Sequence, residues 1–207
     1  MERQQHWNKI YQEKDPDQFS WTEQIPEVSL EWIGKSDLPK SAAIIDVGGG
    51  ESKLIDFLLK EGFTNLTVLD ISEAAIHKTK ERLGKMVEKV NFIATDILQF
   101  TPSAYDLWHD RATFHFLVSD QEIRQYLSIL DQSGARHLVL GTFSENGPEK
   151  CSGLPVQRYS EEALTKLLHE KWGKIKCTTK DHLTPFGTNQ NFLFCHFKRI
   201  SNKNQSI

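Results

Sequence analysis

From Ser41 onward, short β-branched apolar runs alternate with stretches whose apolar residues recur at helical spacing. That alternation predicts stacked βα units on a mainly parallel sheet, an α/β fold. Ala42–Val47 predicts the first strand, and Leu54, Ile55, Leu58 and Leu59 form a helical stripe that Gly62 can end. "NLTVLD" predicts a second strand, followed by a helix with Ser72 as its N-cap and Ile76 and Leu83 turned inward. "VNFIATD" and "AYDLWHD" predict the third and fourth strands. Ser119 and Glu122 then stand at capping-box spacing ahead of Ile123, Tyr126, Leu127 and Leu130. "ARHLVLGTF" predicts a fifth strand, and Ser160 opens a helix carrying Leu164, Leu167 and Leu168. "KWGKIKCTTKDHL" and "NQNFLFCHFKRI" are joined by "TPFGT" with no helix between them, so they predict an antiparallel hairpin at the sheet edge.

The start of the chain has a different pattern. Trp7, Ile10 and Tyr11 share one helical face, and Pro26 is placed to open a second short helix, which predicts an arm packed on the sheet. A length of 207 residues with 38% hydrophobic content suits one domain: arm 1–40, core 41–142, insertion 143–159, last helix and hairpin 160–200. The polar tail "SNKNQSI" is expected to fray. A formal net charge of -3 supplies no overall basic field, which argues against nucleic acid as a partner. No apolar run approaches the roughly 20 residues of a membrane span, and "MERQQHWNK" lacks a signal-peptide core, so a cytoplasmic protein with no membrane partner is expected. Cys151, Cys177 and Cys195 are odd in number and widely spaced. They are expected to be reduced and structural, with neither a disulfide framework nor a metal site.

The predicted strand ends carry candidate chemistry. Asp46, Asp70, Asp96 and Asp110 close four successive strands, where an open parallel sheet binds its ligands. A single Asp there commonly caps the next helix or turn, but four in succession with Gly48, Gly49 and Gly50 after the first point to a site. Glycines let a ligand approach the main chain, and a following helix start offers N–H donors. No Lys-Ser/Thr pair completes a phosphate loop, and Lys53 occupies the third glycine position of a dinucleotide fingerprint. Asp70 lies where a carboxylate can accept from both hydroxyls of a ribose, so a nucleoside is the expected guest.

With these residues in view, the chain resembles the class I S-adenosylmethionine (SAM)-dependent methyltransferases: "IIDVGGGES" is similar to their first motif, "TVLDIS" to the second and "FIATDIL" to the third. The resemblance implies a Rossmann-like three-layer sheet of seven strands in the order 3-2-1-4-5-7-6, with strand 7 antiparallel. It implies SAM as cofactor and S-adenosylhomocysteine (SAH) as product. The Gly48–Gly50 turn would lie beneath the methionine and ribose portions, with Asp46 orienting that end. Asp70 would hold the ribose hydroxyls, Ile71 would pack on adenine, and Asp96 with the Ile97 backbone would read its edge. Ser52 stands where many members carry a further glycine.

The run "DLWHDRATFHFL" lacks the NPPY or DPPY of many amino-group methyltransferases. It resembles the DK/R-x-TF form of a group of small bacterial methyltransferases and, more distantly, of protein-lysine methyltransferases. By that resemblance Asp110 borders the cofactor's methionine end, and His109 and His115 are candidates for proton transfer. Trp21 either covers a sulfonium by its π face or pins the arm to the sheet. Residues 144–158 and 181–188 are expected to frame the pocket of a small-molecule or protein acceptor. In-line methyl transfer needs chiefly alignment and exclusion of water. The alternatives are a protein-lysine methyltransferase, a nicotinamide-dependent oxidoreductase (weakened by Lys53 and by the terminal hairpin) and a non-catalytic nucleoside-binding module.

Overall fold

The computed structural model describes residues 2–13 and 19–200, so the expected fraying of 201–207 lies outside the described residues. In chain order the elements are α1 (Glu2–Glu13), α2 (Glu27–Gly34), β1 (Ala43–Val47), α3 (Leu54–Lys60), β2 (Asn65–Asp70), α4 (Glu73–Leu83) and β3 (Val90–Ala94). There follow β4 (Leu107–Arg111), α5 (Asp120–Gln132), β5 (His137–Phe143), β6 (Lys150–Cys151), β7 (Leu154–Pro155), α6 (Glu161–Leu168), β8 (Trp172–Leu183) and β9 (Asn189–Arg199). The main sheet has the order β3-β2-β1-β4-β5-β9-β8, with β9 antiparallel to both neighbours. This is the arrangement expected from the sequence. The extra hairpin β6–β7 forms inside the insertion read as a loop and shifts only the numbering.

Both faces of the sheet are covered, which is why its strands read as nearly continuous apolar runs. Successive side chains point to opposite faces. Ile45, Val47, Trp108, Leu138 and Leu140 therefore join Tyr126 and Leu130 of α5 and Leu164 and Leu168 of α6. On the other face, Ile44, Leu107 and Val139 join Trp32 and Ile33 of α2 and Leu54, Ile55 and Leu58 of α3.

Local signals place the helices. Ser72 accepts from the Ala75 N–H at 3.2 Å, Ser119 and Glu122 form the expected capping box, and Ser160 accepts from the Ala163 N–H at 3.1 Å. Pro26 occupies the N-cap position of α2, one residue before the first helical position. The arm is tied down at both helices: Asn8 Oδ1 of α1 accepts from Ser72 Oγ at 2.8 Å, and α2 buries Trp32 and Ile33 on the sheet.

The expectation of three reduced cysteines is corrected. Cys177 and Cys195 face each other in the β8–β9 register and form a disulfide. Antiparallel pairing brings together two residues 18 apart, which spacing along the chain does not reveal. Among the described residues no helix is long and apolar enough to cross a membrane.

One buried polar chain fastens α5 to β4. Trp108 Nε1 donates to Tyr126 Oη at 2.9 Å, and Tyr126 Oη donates to Asp110 Oδ2 at 2.6 Å. Tyr126→Phe leaves both partners short of a hydrogen bond in a closed interior and is expected to lower stability by about 1–3 kcal/mol in urea unfolding. An unchanged midpoint would show that the chain carries no net stability.

Candidate functional site

The carboxyl ends of β1, β2 and β4 and the arm enclose a cavity. Gly48, Asp70, Ile71, Asp96 and Ile97 line it from the sheet, Trp7, Tyr11 and Trp21 from the arm. A contiguous recess beside it is lined by Asp46, Gly48, Glu51, Trp21, His109 and Arg111.

The glycine turn is tight for identifiable reasons. Gly48 has φ +69°, and a Cβ there would run into Thr113 Oγ1. A Cβ on Gly49 would meet the Asp46 carboxylate, and one on Gly50 would lie 2.5 Å from Asp70 Oδ2 and 2.6 Å from Ala75 Cβ. The main chain thus sits directly on the two carboxylates. Asp70 Oδ2 accepts from the Gly50 N–H at 2.9 Å and Oδ1 from the Ser72 N–H at 2.7 Å. Burial pushes the Asp70 carboxyl up to about 6, against the pull of these backbone donors. Three backbone donors, counting the Ile71 N–H, leave the carboxylate a further lone pair for a ligand hydroxyl.

Asp46 has a different environment. Its Oδ1 accepts from His109 Nδ1 at 2.7 Å, and His109 Nε2 is hydrogen-bonded to Ser29 Oγ of α2 at 2.8 Å. Asp46 Oδ2 is buried with no hydrogen-bond partner among the described residues. A buried carboxylate oxygen left in that state is a receptor for a cationic donor such as an ammonium group. Glycines admitting close approach, a carboxylate for paired hydroxyls and this oxygen together fit a nucleoside bearing a cationic amino-acid end.

At the other end Asp96 caps the 3-10 turn Ile97–Gln99, accepting from the Leu98 N–H at 2.9 Å. Its second oxygen lies 3.6 Å from Arg3 Nη1, so α1 closes over this end. Trp21 both packs the arm and lines the cavity: its ring stacks on Phe19 at 4.9 Å and meets Trp7 edge-on at 5.9 Å.

The turn after β4 changes the reading of three candidates. Asp110, expected beside the cofactor's methionine end, is fully buried and lines neither the cavity nor the recess. It accepts from the Thr113 and Phe114 N–H groups at 3.0 and 3.1 Å and from Tyr126, which makes it a clamp on the turn. His109 has both ring nitrogens engaged, so neither is open to a proton from an acceptor. His115 does line the cavity, stacked on Phe143 at 4.4 Å. Its Nδ1 accepts from the Phe143 N–H at 3.3 Å, which puts the neutral ring's proton on Nε2. Burial, with Arg111 nearby, lowers its pKa to about 3. At neutral pH His115 is therefore a donor.

Sequence reasoning does not single out Arg3, Trp7, Tyr11 and Arg111 as site residues. The first three recur every fourth residue, one face of α1, and that spacing is the signal that could have found them. Arg111 depends on distant partners: Nη1 donates to the Trp21 carbonyl at 2.8 Å, and Nε lies 3.2 Å from Glu23 Oε2.

With this geometry in place, likeness to known proteins becomes informative. The fold is shared with a SAM-dependent methyltransferase from Anabaena variabilis, with a TM-score of 0.73 at 12% identity over 96% of this chain and 93% of the other. The chain thus has the Rossmann-like methyltransferase fold. Residues 45–133 match the family described as a methyltransferase domain. The chain is 27% identical over 172 residues to the eEF1A lysine and N-terminal methyltransferase of Mus musculus, covering 81% of this chain and 24% of that protein. It is 34% identical over 159 residues to malonyl-[acyl-carrier protein] O-methyltransferase 1 of Ilyobacter polytropus, covering 74% of this chain and 53% of the relative. The chain therefore spans about a quarter of the first relative and about half of the second.

Gly48→Ala combines a left-handed backbone with a steric conflict at Thr113. It is expected to destabilise the fold by about 1–3 kcal/mol and to displace the 111–113 turn, read by thermal unfolding and crystallography. Wild-type stability with an unmoved turn would contradict the tight packing described.

Proposed function

We propose that the protein is a SAM-dependent methyltransferase, transferring a methyl group by in-line displacement to a small-molecule or protein side-chain acceptor. The observation that carries this reading is the glycine turn seated on two buried carboxylates, with Asp46 Oδ2 left for a cation. The methyltransferase-domain match and the methyltransferase names of the relatives support it. SAM supplies, when bound, an electrophilic methyl group on a sulfonium.

The chain's own residues bind and align. Asp70 accepts from the ribose hydroxyls, Asp46 Oδ2 from the ammonium, Ile71 packs on the adenine, and Asp96 with the Ile97 backbone reads its edge. Trp7, Tyr11 and Trp21 exclude water and offer π faces to a cation. His109 holds Asp46 in place and is a positioning residue, and Asp110 sets the turn that carries Arg111 and Thr113. His115 offers its Nε2–H. Neither histidine acts as a general base in this reading, so the acceptor arrives with its nucleophilic lone pair available.

A cytoplasmic setting and a partner that is neither membrane nor nucleic acid belong to the same proposal. The protein-lysine alternative draws support from the relatives' names. The unpaired Arg111 Nη2 and His115 Nε2 on the side of the cavity away from Asp46 offer donors and no acceptor to an entering ammonium.

Calorimetric titration tests the reading: SAM and SAH bind, and NAD does not. Binding of NAD with neither SAM nor SAH would replace it by the oxidoreductase reading. Asp70→Ala is expected to weaken SAM by roughly 1–3 kcal/mol. Donor hydroxyls favour the ionised carboxylate, so binding tightens above the Asp70 pKa of about 6 and weakens as pH falls through it. SAM affinity should drop roughly tenfold from pH 7 to pH 5, with Asp70→Asn flattening the profile. A wild-type profile equal to that of the variant would remove Asp70 from the site.

A further inference from the structure

The cavity is divided by the strand order. Asp70 and Asp96 lie beyond β2 and β3, whereas Arg111, His115, Phe143 and Phe192 lie beyond or within β4, β5 and β9. The second half lies away from Asp70 and Asp96, with Arg111 also bordering the Asp46 recess, and its polar groups differ in kind. Arg111 Nη2 is buried with no hydrogen-bond partner among the described residues, and so is His115 Nε2. Both atoms are donors, since His115 Nδ1 already accepts from the Phe143 N–H.

These two groups converge on one apolar ring. The Arg111 guanidinium carbon lies 4.9 Å from the Phe192 ring centroid, and the His115 ring centroid lies 6.5 Å from it. Glu23 approaches Arg111 at Nε, and the Trp21 carbonyl takes Nη1. Nε and Nη2 both lack a hydrogen-bond partner among the described residues, and with Glu23 facing Nε it is Nη2 whose hydrogen-bonding capacity is open to a ligand. Two unpaired buried donors beside aromatic walls are costly unless a ligand supplies acceptors.

We propose that this half of the cavity is the acceptor subsite and takes a small molecule bearing a carboxylate, gripped by Arg111 Nη2 and His115 Nε2–H with its apolar part against Phe143 and Phe192. The assignment rests on the methyltransferase reading and deepens it. Two donors match the two oxygens of a carboxylate, whereas an ammonium would find no acceptor on Arg111 Nη2 or His115 Nε2, the Glu23 carboxylate lying on the Nε side of the guanidinium. A lysine side chain is accordingly a poor occupant.

The test uses the wild-type protein saturated with SAH and two probes with the same ring and opposite charge, phenylacetate and phenethylamine, titrated calorimetrically. Phenylacetate is expected to bind at least about tenfold tighter than phenethylamine. Arg111→Met and His115→Phe should each weaken phenylacetate at least about fivefold while SAH affinity stays within about twofold of wild type. His115→Phe retains the aromatic stack, so it remains informative if Arg111→Met fails to fold. Equal affinities, tighter binding of the amine, or no binding of either probe to the SAH-loaded protein would overturn the inference. So would loss of SAH affinity in folded Arg111→Met, which would put the guanidinium on the cofactor's own carboxylate. Failure of the wild type to bind SAH would instead overturn the methyltransferase reading itself.

Discussion

The hydrogen bond between His109 and Asp46 joins β1 to β4 at the centre of the sheet, and Ser29 extends it to α2. Both side chains are closed to solvent, at 3% and 2% exposure. In such surroundings, leaving one partner of a hydrogen bond unsatisfied typically costs about 1–3 kcal/mol. The Gly48–Gly50 turn is built directly on this pair, because the space a Gly49 Cβ would need is filled by the Asp46 carboxylate. One oxygen is held by the imidazole and the other remains for a ligand. The same contact therefore stabilises the sheet and shapes the site.

The opposite face has a matching device. Asp110 and His109 are adjacent on β4, so the pleat sends one to α5 and the other to α2. Asp110 gathers the following turn through two backbone N–H groups, and Tyr126 anchors it from α5. Ala112 within that turn adopts φ 72°, a conformation uncommon for a side chain-bearing residue. Held from both faces, the turn sets Arg111, Thr113 and His115 around the cavity. Buried groups that take no direct part in binding thus decide where the binding groups stand.

Much of this is legible in the sequence. The period-2 and helical apolar patterns, the serine caps and the helix-free last forty residues specify the sheet and its antiparallel edge, because each is a local signal agreeing with the global fold. The glycine turn and Asp70 are legible for the same reason. The motif after β4 points His109 and Asp110 toward the ligand; alternation along the strand sets His109 beside the Asp46 recess, with both ring nitrogens bonded, and Asp110 against α5. The Cys177–Cys195 bridge and the partners of Arg111 depend on pairing and on contacts across some ninety residues, which no local pattern encodes.

The central claim is that the glycine turn and its carboxylates hold a nucleoside with a cationic amino-acid end. A crystal structure of the protein with saturating SAH tests it most directly. The account predicts ribose hydroxyls on Asp70 and the ligand ammonium on Asp46 Oδ2, with His109 still bonded to Oδ1. SAH bound elsewhere, or an Asp46 that makes no contact with it, would contradict the account.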